Sequence, residues 1–341
     1  MSQTMSNNQN LCPACGAARA AGGGQSLDCP ACGMKYAFVE YFAGKTTYDT
    51  WHATIRAAWS AHHGRQTQQL RENCCLIVGP EYIAFLDKKT GDLTSFDRFG
   101  KVTTERNVLE YSVSNLHQVL LKTNGIVSIS GDTEGGRLRA NGAVGIQSVL
   151  AGQRCTHLVN GQGRVESYGA CSFRPELESW QDIRQLACGN NHVAGLTGSG
   201  TVVLAGAAGN ATAGWKNVKA IAAAANYTLG LHKDGTVSYA GPREDVRQQI
   251  AGWKNIAAIA ADSQYAVGLT ADGSVLLAGS CKPYLDGGRS GAGQWKNVAC
   301  IAAGNGVIAA VTAEGELLLA GSFLRANDVI GYFQKNNPIK R

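Results

Sequence analysis

The sequence predicts an all-β chain, a closed seven-bladed β-propeller preceded by a small separate module and a helical linker. Three observations carry this. First, 215–241 reads WKNVKAIAAAANYTLGLHKDGTVSYAG, and close relatives of it occupy 180–206 (WQDIRQLACGNNHVAGLTGSGTVVLAG), 253–279 (WKNIAAIAADSQYAVGLTADGSVLLAG) and 295–321 (WKNVACIAAGNGVIAAVTAEGELLLAG). Second, a turn glycine anchors seven units, at Gly91, Gly125, Gly163, Gly200, Gly235, Gly273 and Gly315, spaced 34, 38, 37, 35, 38 and 42 residues apart. Third, a second glycine recurs six residues past each anchor, at Gly131, Gly169, Gly206, Gly241, Gly279 and Gly321, with Asp97 the exception. Repeats of this period signal solenoids or propellers.

Within a unit the pattern is that of strands. Tyr227, Leu229 and Leu231 alternate with Thr228 and Gly230, and Asp234-Gly235 is a hairpin signal. The run 218–224 is small and apolar, as suits a strand at a crowded axis. Each unit thus predicts three strands, with a short fourth left unplaced. One such sheet cannot bury both faces, whereas several packed radially can.

The recurring Trp, Ile/Val, AAG-like step, aromatic or His, VGL, DG and AG resemble the regulator of chromosome condensation repeat, over about residues 74 to 330. The short spacing is similar to bacterial-type members. That resemblance implies a seven-bladed propeller whose loops meet partners. It does not imply one function, because family members exchange nucleotides on a GTPase, inhibit enzymes or scaffold complexes.

Taken in order, 1–10 is expected to be a disordered lead and 11–44 a zinc ribbon. Its CPACG knuckles offer Cys12, Cys15, Cys29 and Cys32, spaced to hold one structural Zn²⁺ by four thiolates. In the linker at 45–73, Tyr48, Trp51, Ile55 and His62 share a helical stripe. His62-His63 with Cys74-Cys75 is not read as a second metal site, since Cys74 and Cys75, adjacent in a strand, point to opposite faces. The propeller is expected over 74–333 and a basic tail over 334–341. Closure is expected to bring 323–333 beside 76–85, one terminus completing a sheet begun by the other.

Composition narrows the function. Charged residues make up 16% against 43 glycines, which suits glycine-punctuated β structure, and the net charge of +6 is spread along the chain. No run approaches the roughly 20 apolar residues of a membrane helix. The polar start and the odd count of 11 cysteines suit a reducing, cytoplasmic setting. No catalytic motif is present. His117, Cys155, His192, Tyr227, Tyr265 and Val307 share one repeat slot, with Tyr82 in the first unit, so the slot reads as packing with an optional hydrogen bond.

Function is therefore sought where units differ, in the connectors 132–145, 170–179, 207–214, 242–252 and 280–294. Arg137, Arg243, Arg247, Tyr284 and Arg289 are the candidate partner-binding residues, and Tyr284 and Arg289 are expected to be dispensable for folding. The expected function is that of a non-enzymatic scaffold or adaptor for a protein partner, without a small-molecule substrate. The alternatives are guanine-nucleotide exchange on a small GTPase, or nucleic-acid binding through the ribbon and linker.

Overall fold

In the computed structural model, the described residues are 74–79, 82–97, 99–132, 134–206, 211–280, 286–323 and 326–336. The expected lead, zinc ribbon with Cys12, Cys15, Cys29 and Cys32, and linker lie outside them, as does Tyr284.

Seven antiparallel sheets follow one another, each from contiguous sequence, and form a seven-bladed β-propeller. The blades begin with the strands Cys74–Val78, Val108–Val113, Ile146–Ala151, Ile183–Cys188, Val218–Ala224, Ile256–Ala261 and Val298–Gly304. These first strands pack against those of neighbouring blades, so they form the innermost layer. The alanine-rich runs at 220–224 and 257–261 belong there, where neighbouring inner strands approach closely. The middle strands are Tyr82–Asp87, His117–Lys122, Cys155–Asn160, His192–Thr197, Tyr227–His232, Tyr265–Thr270 and Val307–Thr312.

Among the described residues six blades have three strands; the first has a fourth, Val102–Glu105. Asp97 explains it. Elsewhere a glycine faces the slot residue, as Gly131 faces His117 at φ 124°, where a Cβ would come within 2.5 Å of the Leu116 carbonyl oxygen. Asp97 instead accepts hydrogen bonds at Oδ1 from the N–H groups of Phe99 (2.9 Å) and Lys101 (2.8 Å). That tight turn sends the chain back as a further strand.

The WKN motif has a backbone cause. Asn107, Asp182, Asn217, Asn255 and Asn297 all sit at φ 56–57°, a left-handed conformation that Asn and Asp tolerate best among side-chain-bearing residues. The next N–H, of Val108, Ile183, Val218, Ile256 and Val298, donates at 2.9 Å to the turn glycine of the preceding blade, Gly91, Gly163, Gly200, Gly235 and Gly273. The same Asn or Asp then accepts from the turn of its own blade at 2.8–2.9 Å. One residue thus latches two blades. The tryptophans have an equally local reason: a Cβ on Gly195, Gly230 or Gly268 would stand 2.6–2.8 Å from the ring of Trp180, Trp215 or Trp253.

Burial follows the same radial logic. There are seven apolar clusters, and each joins one adjacent pair of blades. The cluster closing the ring brings Leu76, Ile83, Phe85 and Phe96 of the first blade against Val307, Ala309 and Val311 of the seventh, with Val329 and Phe333 from the helix Ala326–Asn336. Phe333 meets Phe85 edge-on at 5.6 Å between centroids, and Tyr332 meets Phe96 at 5.0 Å. The expected neighbours are therefore correct, but the means differs. No terminus completes the other's sheet among the described residues; a helix seals the seam, running past the boundary expected at 333.

Candidate functional site

At one end of the ring lie the turns between first and middle strands, together with the slot residues. These side chains staple blades together. His117 Nε2 stands 2.8 Å from Thr156 Oγ1 in the next blade, and His192 Nε2 stands 2.9 Å from Thr228 Oγ1. Tyr227 donates to the carbonyls of Asp262 (2.7 Å) and Tyr265 (2.8 Å). Burial, then the nearby Arg137 charge, holds His117 down to about 4, and burial likewise lowers His192. Both imidazoles are thus neutral structural groups at physiological pH, as the slot pattern implied.

The connectors place the five candidate residues differently from one another. Arg243 and Arg247 are partly solvent-exposed, with side-chain exposures of 36% and 54%. They flank and lie on the helix Glu244–Ala251 and pair with Asp245 at 2.6 Å and Glu244 at 3.3 Å. Tyr284 lies outside the described residues.

Arg137 and Arg289 require a correction, because they are not loop-surface residues. Arg289 is 3% exposed and forms an ion pair with the fully buried Asp262. Its Nε–H donates to Asp286 O at 2.9 Å, and its guanidinium lies 5.6 Å from the centroid of the Tyr265 ring. Asp262 also accepts from Gly306 N–H at 2.9 Å, tying the sixth blade to the seventh. Arg137, 4% exposed, lies 3.0 Å from Asp132, but its Nε and Nη1 make no aligned hydrogen bond. Both follow a glycine pair at positive φ, Gly135-Gly136 and Gly287-Gly288, which turns the chain so that the arginine enters the blade interface. The shared GGR, nine residues before Ile146 and Val298 in turn, is a repeat signal that marks framework.

Between the third and fourth blades a cleft of about 910 Å³ opens beside the slots, lined among others by Cys155, His157, Cys171, Cys188 and His192. Burial, followed by Cys171, pushes the Cys155 thiol up to about 12, and burial raises Cys188 to about 11. Burial lowers His157 to about 4. Thiols so held are poor nucleophiles, since the thiolate is the reactive form. Sequence reasoning missed this grouping. Its one legible signal was Cys155-x-His157, two apart on a strand and hence on one face; Cys171 follows Gly169, which pairs with Cys155 within the third blade, and only Cys188 joins through the packing of blades.

Elsewhere, exposure of large apolar side chains is uneven. Among the described residues it occurs at Phe99, Val102, Leu109, Leu116, Ile126 and Val144, all in the first two blades and the connector that follows them. Val144 (70% exposed) and Ile126 (39%) flank a hydrogen bond of 2.9 Å from Val127 N–H to Ala143 O. Leu109 (53% exposed) lies at the same end, two residues past Asn107, whose carbonyl accepts from Thr123 N–H at 2.8 Å.

No family model and no curated protein matches the chain. Solved structures do. Prp20p from Saccharomyces cerevisiae, studied for its binding to Gsp1p and histones, is 13% identical, with 77% of this chain and 85% of that chain covered at a TM-score of 0.51. The CRINKLY WD40 ectodomain of the Arabidopsis thaliana receptor kinase ACR4 is 13% identical, covering 74% and 96% at 0.55. The ectodomain of the Physcomitrella patens receptor kinase CR4 is 16% identical, covering 62% and 63% at 0.50. At these identities the likeness is one of fold.

Proposed function

We propose that the chain is a non-enzymatic interaction protein whose propeller binds a protein partner, and that an amino-terminal ribbon holds one structural Zn²⁺ through Cys12, Cys15, Cys29 and Cys32. The observation that carries the partner reading is the confinement of exposed large apolar side chains to 99–144, while the later blades, among their described residues, expose none. Apolar surface gathered on one sector of an otherwise polar ring suits a partner's apolar anchor better than bulk solvent. Leu109, Ile126 and Val144 are its proposed centre. Arg243, Arg247 and Tyr284, from the connectors that follow the fifth and sixth blades, are proposed as partner contacts apart from that centre. Prp20p, which has the same fold, binds Gsp1p and histones. That supports a protein ligand, without carrying nucleotide exchange to this chain.

The test is a photo-crosslinking amino acid placed at 109, 126 and 144, with position 254 on a later blade as control. One protein species captured from the first three positions and not from 254 is expected. Leu109→Asp with Val144→Asp should then weaken that partner by at least about tenfold, roughly 1.4 kcal/mol. Capture equal at all four positions, or none, overturns the reading.

A further inference from the structure

Cys155 and His157 lie two apart on the middle strand of the third blade, so their side chains share a face. Cys171 arrives from the connector just beyond Gly169. The two sulfurs and an imidazole nitrogen all lie within 4.8 Å of one another. We propose that Cys155, His157 and Cys171 form a binding site for one thiophilic d¹⁰ cation, Zn²⁺ or Cu⁺, distinct from the ribbon.

Four features of the molecule support this. The donor set is one such ions prefer, since thiolate selects soft cations and imidazole suits both zinc and copper. The second feature is the orientation of His157. Its Nδ1 stands 2.9 Å from Ser167 Oγ, which fixes the ring and leaves Nε2 for an ion, as outer partners of metal-bound histidines do. Third, Gly152 provides space: a Cβ there would stand 3.3 Å from His157 Nε2, and its φ lies outside the region that favours glycine. Fourth, the framework does not call for a histidine at this point. The residues two past the slot in the other blades are Ala84, Val119, Ala194, Leu229, Val267 and Ala309. Only the third blade places an imidazole there, and it is 2% exposed.

An entry path exists as well. Cys171 is half-buried and lines the cleft, and Cys188 lines the cleft wall as a further thiol. On binding, the two thiol protons pass to solvent and the sulfurs bind as thiolates. Three protein ligands leave one position of a tetrahedral ion open toward the cleft, for Cys188, solvent or a donor from a partner.

The experiment uses the full chain, purified under reducing conditions, stripped of metal and titrated separately with Zn²⁺ and, without oxygen, with Cu⁺, each against a chromophoric chelator. Cys171→Ser is the primary variant because its side chain is only half-buried; Cys155→Ser is the second, and melting temperature reports folding of both. Each is expected to bind one equivalent fewer than wild type. Cys12→Ser should retain the equivalent that Cys171→Ser loses, which separates this site from the ribbon. Ser167→Ala should bind about 10–100-fold more weakly, the loss typical of an outer partner. The metal that elemental analysis finds in the freshly purified wild type and misses in Cys171→Ser identifies the ion, because raw affinity favours Cu⁺ at nearly any thiolate site. Equal metal equivalents in wild type and a folded Cys171→Ser would overturn the proposal, as would a Cys155–Cys171 disulfide in the freshly purified protein.

Discussion

Arg289 and Asp262 show how much rests on single residues in a ring of repeats. Each is a buried charge whose partner is the other, so removing one leaves an uncompensated charge in the interior. Asp262→Asn and Arg289→Ala are each expected to cost about 3–5 kcal/mol, read as a lowered urea midpoint. The dispensability of Arg289 expected from sequence would hold only if that midpoint were unchanged. Arg137→Met should cost less, because Ser114 occupies the position of Asp262 in its blade and the Asp132 it meets is 35% exposed. Glu110 gives the opposite sign. Its carboxylate accepts at 3.1 Å from both Ser148 Oγ and Val149 N–H, and burial is the main reason its pKa lies above the ordinary carboxylate value. A folded-state pKa raised above the unfolded one means that the folded chain binds the proton more tightly. The resulting stability is full at low pH and is lost as pH rises through the raised value. At neutral pH the buried charge is a cost. Gln185, the corresponding residue two blades on, bonds both the N–H and the carbonyl of Ile221 at 3.1 Å. Glu110→Gln should therefore gain on the order of 1 kcal/mol at neutral pH. That gain should shrink toward about pH 4. Parallel stability curves against pH for wild type and variant would refute it.

At the scale of elements, the carboxy-terminal helix does the work that a shared strand was expected to do. Val329 and Phe333 are buried among residues of the first and seventh blades, so the seam depends on a segment with no place in the repeat. Truncation after Gly321 should lower the melting temperature and promote aggregation, by uncovering Phe85 and Phe96. Phe333→Ala, which removes only the ring that meets Phe85, should cost roughly 3–5 kcal/mol. A truncated chain that melts with the full-length protein would mean that the two blades close without the helix.

For the whole molecule, stability is distributed over seven wedges between blades rather than one centre. The amino-terminal ribbon gives an independent test. Cys12→Ser should lower the zinc content of freshly purified, reduced protein by one equivalent, measured by elemental analysis, while the main unfolding transition stays where it was. No change in zinc content would remove the ribbon reading.

The sequence by itself determined the blade count, the three strands of each unit and the order of the blades. Those properties depend on local chemistry repeated down the chain: the turn glycines, period-two alternation, the left-handed Asn of WKN and the glycine beneath Trp180, Trp215 and Trp253. It also placed the carboxy-terminal segment beside the first blade, because a ring of repeats has only one seam. Only the tertiary structure decided which connector arginines face solvent. Arg243 and Arg289 look alike as loop residues, yet one stands on the surface beside a short helix and the other enters a blade interface behind two glycines. It alone gathered Cys155, His157, Cys171 and Cys188 around one cleft. Cys155 and His157 share a face of one strand and Cys171 follows the Gly169 that pairs with Cys155, but Cys188 joins them only when blades three and four are packed, since proximity between blades comes from closure of the ring and not from any local period.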